Sequence, residues 1–143
     1  MASGFPFVRN ALYRNQGDGT FERILSGSPN NDRNSGTQPR WIDIDNDGHL
    51  DLFVPGGLGS ASFLYRNNGD GTFTKVTNGP LVNAGAAGWS ASWGDFDGDG
   101  LLDLFVGSTG ESLLYRNLGG GEFLRITEGP VVTEARQGVW GDY

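Results

Sequence analysis

"WGDFDGDGLLDLFV", Trp93 to Val106, places four aspartates in nine positions and then turns abruptly apolar. An earlier stretch, "WIDIDNDGHLDLFV", Trp41 to Val54, repeats the arrangement at every acidic position. Carboxylates crowded this way repel: two unit charges about 5 Å apart cost roughly 0.8 kcal/mol even in water, and more near a protein surface. A chain that accepts this twice, directly before a strand-like run, implies a bound cation that converts repulsion into attraction.

The spacing says which cation. Asp95, Asp97, Asp99 and Asp103 are positions 1, 3, 5 and 9 of a loop, with Gly100 at position 6 for the sharp turn. Alternation in a curled loop turns carboxylates inward, and the backbone carbonyl of Leu101 can join them. Asp43, Asp45, Asp47, Gly48, the carbonyl of His49 and Asp51 form the first copy. Such a set approaches the six to eight oxygens, at roughly 2.3–2.6 Å, that Ca²⁺ prefers. Mg²⁺ demands a stricter octahedron, and zinc or copper would want His or Cys. The chain has one His and no Cys. The loop is not an EF-hand, because position 12 is Val54 or Val106 inside a strand rather than a Glu before a helix. The expectation is two Ca²⁺ per chain.

Outward from these loops, the chain is a repeat. "LYRN" recurs at Leu12–Asn15, Leu64–Asn67 and Leu114–Asn117, followed by "QGDGTF", "NGDGTF" and "LGGGEF" within each unit. Pro29, Pro80 and Pro130 share a spacing of about fifty residues, as do Trp41, Trp93 and Trp140, a propeller-blade or solenoid period. Each unit reads as four short strands: one ending at the Trp, then "LDLFVG", "SLLYRN" and "EFLRIT". The Gly-rich triplet before the last strand is a hairpin turn, with Asp18 and Asp70 inside it. The predicted fold is all-β, a β-propeller of four-stranded antiparallel blades with about three blades per chain.

The register of the repeat divides the 143 residues into a single propeller segment. Residues 1–36 read as strands two to four of a split blade. Residues 37–88 form a blade with the first acidic loop, 89–135 a blade with the second, and 136–143 strand one of the split blade. Three blades fall short of the four to eight that surround a propeller channel. Two copies would give a closed six-bladed ring, so a homodimer is expected, favoured over a trimer. The third acidic loop departs from the pattern: Asp142 precedes the final Tyr143, and Phe5 stands where Asp51 and Asp103 stand in the other units.

Composition narrows the partners. A formal charge of −7 opposes nucleic acid and anionic membrane surfaces. Eight of the 17 acidic residues lie in the two loops, so two dications would raise the net charge by four, to about −3. No apolar run approaches the ~18 residues of a membrane span, and "MASGFPFV" lacks the basic and apolar regions of a signal peptide.

The stretches "DIDNDGHLD" and "DFDGDGLLD", each followed by "LFV", with "LYRNNGDGTF" downstream, resemble the FG-GAP/VCBS repeats of integrin-α-type calcium-binding β-propellers. "GWSASWGDFDGDGLLDLFV" is similar to the bacterial secreted type. The resemblance spans nearly the whole chain. It implies a calcium-stabilised propeller, extracellular or at the cell surface, used for adhesion or for recognition of a glycan or a protein. The family's calcium positions fall on the eight aspartates named above.

Other residues have plainer readings. Trp41, Trp93 and Trp140, at the end of the innermost strand, read as blade-to-blade packing rather than sugar platforms. Trp89, whose repeat counterparts are Thr37 and Arg136, is the candidate ligand anchor. Arg14, Arg66 and Arg116 recur with the blade and read as donors to neighbouring backbone or Asp. With no Cys and a single His inside a metal loop, the familiar nucleophile–base pairs are missing, so no enzyme is expected. A metal-dependent hydrolase and a purely structural module are the alternatives to a recognition module. In an up-and-down blade the acidic loops and hairpin turns share one face. The longer loops, within 26–40, 55–62, 79–89, 107–112 and 129–136, share the other, where a ligand is expected.

Overall fold

The computed structural model describes residues 11–25, 27, 29–32, 38–57, 60–83, 88–108, 110–129, 138 and 140. Short β-rich runs separated by Gly-containing turns become ten strands among these residues. They are β1 (Leu12–Asn15), β2 (Phe21–Ile24), β3 (Arg40–Ile42), β4 (Asp51–Val54), β5 (Phe63–Asn67), β6 (Phe73–Val76), β7 (Gly88–Gly94), β8 (Asp103–Ser108), β9 (Leu113–Gly119) and β10 (Glu122–Ile126). All pairings are antiparallel between sequence neighbours, giving a hairpin β1-β2 and two four-stranded meanders, β3-β4-β5-β6 and β7-β8-β9-β10. A four-stranded meander is the form of a propeller blade. The expected second strand "FPFV" of the split blade, with Phe5, lies outside the described residues, as does most of its expected first strand "QGVWGDY", including Asp142.

The unbroken apolar run "LFV" after Asp51 and after Asp103 follows from burial on both faces of the blade. Every residue of β4 is buried, as is every residue of β8. On one face, Phe53 and Leu64 join Leu104, Tyr115 and Phe123 in a core between the two meanders. On the other, Leu52, Val54 and Tyr65 form a second cluster with Phe63 and Phe73. Trp93 stands between the meanders, edge-on to Phe53 at 5.6 Å and to Phe123 at 6.1 Å. Blade packing is therefore its role, and Trp140 packs likewise against Phe105 at 6.4 Å. Trp41 is half exposed and meets Phe73 at 5.9 Å.

One helical turn, α1 (Pro80–Asn83), interrupts a segment read from sequence as loop. The carbonyl of Gly79 accepts from the N–H groups of Val82 and Asn83, and the turn buries Leu81 and Val82 in the inter-blade core. A single turn is too short to leave a periodic signature.

Candidate metal centres

Each acidic loop joins the first and second strands of a meander, β3 to β4 and β7 to β8. Its backbone is set by two left-handed positions. Gly48 and Gly100, at position 6, have φ of 87° and 85°; Asn46 and Gly98, at position 4, have 57° and 77°. Asn and Gly are the residues that adopt this region readily. Position 4 was a signal left unread in the sequence.

The position-1 aspartates organise the turn. Asp43 accepts hydrogen bonds from the N–H of Asp47 (3.0 Å) and Gly48 (2.9 Å). Asp95 accepts from Gly98 (2.7 Å), Asp99 (3.2 Å) and Gly100 (2.8 Å). These bonds, that from Gly100 foremost, hold the Asp95 carboxyl below its ordinary value. Asp47 and Asp99 cap the next turn by accepting from the N–H of His49 and Leu101.

The position-9 aspartates lock the loop onto the sheet. Asp51 is buried and accepts from the N–H of Ile44 (3.2 Å) and of Asn67 on β5 (2.7 Å). Asp103 does the same with Phe96 (3.0 Å) and Asn117 on β9 (2.7 Å). Burial pushes both carboxyls up, against the pull of those N–H groups. The amide of Asn67 donates to the Leu50 carbonyl, and that of Asn117 to the carbonyls of Leu102 and of Ile44 in the preceding blade. Sequence reading missed the role of this asparagine, although its recurrence in "LYRN" marked it.

Asp43, Asp45 and Asp51 bring three carboxylate oxygens within 4.8 Å of one another, and so do Asp95, Asp97 and Asp99. Asp47 and Asp103 stand outside these groups. The donors are hard oxygens throughout, and Oδ1 of Asp45 is buried with no hydrogen-bond partner. An uncompensated carboxylate oxygen is costly unless a cation faces it, so the residues fit a hard dication such as Ca²⁺. Arg66 pairs with Asp45, and Arg116 with Asp97 (2.6 Å) and Asp99 (3.3 Å), placing positive charge at the rim of each loop.

The acidic loops and the hairpin turns do share one face. The exposed His49 ring leans over Gly69, where a Cβ would lie 2.7 Å from Nε2, rather than standing clear of the protein. In the hairpins, Asp18 and Asp70 accept from the N–H (2.9 Å) and hydroxyl (2.6 Å) of Thr20 and Thr72. Trp89 lies in β7 at a shift of register between Gly88 and Ser90, and its side chain lies outside the described residues. Between β3 and β7 runs a groove of about 540 Å³, with Gln38, Arg40, Ser90 and Ser92 on its walls. No helix among the described residues is long and apolar enough to cross a membrane.

The profile of an FG-GAP-like repeat matches the chain three times, over residues 3–54, 56–106 and 95–143. No curated protein and no solved structure matches it.

Proposed function

The chain belongs to the FG-GAP-like repeat family, and from that premise we propose that it is a calcium-stabilised propeller module acting by recognition. Repeats of this family generally serve recognition or structural roles rather than catalysis, and are typically extracellular. The observation that carries the reading is a carboxylate triplet in the same loop of two repeats, built on positions 1 and 3 in both and completed by position 9 in the first and position 5 in the second. Asp43, Asp45 and Asp51 would hold one Ca²⁺, and Asp95, Asp97 and Asp99 the other; Asp47, Asp103 and the carbonyls of His49 and Leu101 are the further donors that the loop pattern offers. A bound ion would supply charge neutralisation. What the protein contributes is a loop tied by Asp51 or Asp103 to the third strand of its own blade.

With the metal loops and hairpins on one face, the opposite loops are the place for a glycan or a protein ligand, with Trp89 as its anchor. Leu81 and Val82 are sunk in the core, so they are not part of the surface offered there. Calcium titration by calorimetry should give two sites per chain, and Asp43→Asn with Asp95→Asn should abolish both. A glycan array and a protein pull-down in calcium should then return a ligand whose binding Trp89→Ala weakens. A ligand that protects the acidic loops instead would sink the placement.

The Asp51 and Asp103 bonds also favour a second reading, a structural module that binds nothing but Ca²⁺. Two filled sites with no hit in either screen would establish it.

A further inference from the structure

The repeats act as controls for one another, and they expose an unfilled junction. Tyr65 and Tyr115 are 0% and 1% exposed, whereas Tyr13, at the same place in "LYRN", is 55% exposed. Phe123 is 8% exposed, but its counterpart Phe21 is 65% exposed. Tyr115 and Phe123 are buried because the preceding blade covers their face. On β1-β2 that face is open.

The last blade presents the complementary surface. Along β10, Phe123 points back toward the preceding meander, so its neighbour Leu124 points the other way, and it is 51% exposed. Trp140 rests on Phe105 as Trp93 rests on the equivalent Phe53. Trp41 and Trp93 each also touch the first aromatic of the fourth strand in their own blade, Phe73 and Phe123. For Trp140 that position is Phe21.

A polar contact follows the same step. Arg14 crosses to the hairpin of the next blade, donating to the Gly71 carbonyl at 3.5 Å, and Arg66 crosses to the next hairpin, donating to the Gly120 carbonyl at 2.9 Å. Each guanidinium lies where a Cβ would stand on the last glycine of that hairpin, Gly71 or Gly121. Gly19 holds the same position in the first hairpin, and nothing lies within 4 Å of its Cβ direction. Arg116 is the next arginine in the series.

We propose that a second copy of this chain fills the junction. Trp140 and Arg116 of one copy meet Phe21 and Gly19 of the other, in the contact already made twice within the chain. The two junctions formed this way close a ring of two chains with two-fold symmetry. An open pair, with one junction unfilled, would leave Tyr13 and Phe21 of one copy exposed.

The assembly is separable from the calcium and ligand readings, because its readout is mass. Light scattering of the full chain at micromolar concentration in calcium should give twice 15.3 kDa. Phe21→Glu should shift it to the single-chain mass with its β-sheet circular dichroism retained. The chain has no cysteine, so a mixture of Phe21→Cys and Trp140→Cys chains offers a second measurement. Under mild oxidation it should yield covalent pairs containing one of each variant. A folded wild-type chain at 15.3 kDa, a mass above two chains, or random pairing of the cysteine variants would each overturn the proposal. If Phe21→Glu fails to fold, the wild-type mass and the cysteine pairing still decide.

Discussion

At the residue scale, the two loops divide labour among aspartates that look alike in sequence. Asp43 and Asp95 shape the turn, whereas Asp51 and Asp103 anchor it to a strand across the sheet. Asp51→Ala would leave the N–H groups of Ile44 and Asn67 without their acceptor, for a loss of about 2–4 kcal/mol read by thermal unfolding in chelator. Measuring without metal separates this loss from the lost ligand. The hairpins contribute acid sensitivity beside that of Asp95. The hydroxyl and N–H of Thr20 and Thr72 hold Asp18 and Asp70 below 3.8. The unfolded chain then binds the proton more readily, so their contribution is present above 3.8 and lost as pH falls through the lower folded value. Replacing both by Asn should flatten the acid limb of a melting-temperature profile below about pH 4, and an unchanged limb would refute that role. The positions of the aspartates were legible because alternation and glycine spacing are chemical requirements of the loop. Their separate roles were not, because a carboxylate that accepts N–H bonds and one that faces a cation are the same letter.

At the scale of the element, strands and hairpins were readable from β-rich runs bounded by Gly-Asp-Gly, and the meander order followed. Two elements escaped. The turn α1 is too short to declare a period, and the shifted register around Trp89 leaves no mark in composition. The hairpin between β9 and β10 gives the sharpest test. Gly121 has φ of 82° and lies under the Arg66 guanidinium, whereas Gly17 has φ of 81° with open space around it. Gly17→Ala should cost only the left-handed strain, about 1–2 kcal/mol. Gly121→Ala should cost more, since Arg66 must also leave the Gly120 carbonyl, and Arg66→Ala should erase the difference. Equal losses in chemical denaturation would show that the crossing contributes nothing.

For the whole molecule, an fifty-residue period and the repeated tryptophans disclosed blades, but which faces remain open emerged only from comparing burial between repeats. Excess chelator should lower the melting temperature. Each site filled at a free ion concentration of about a hundred times its Kd adds about 2.7 kcal/mol. An unchanged melt, together with no calcium by elemental analysis, would remove the metal from the account. The arginine crossing reaches further than stability. The middle unit carries a donor for its successor, Arg66, and an acceptor for its predecessor, the Gly71 carbonyl, so a gene segment duplicated whole arrives with both halves of a joint already matched. Growth of such a chain by one unit requires no invention of a new surface.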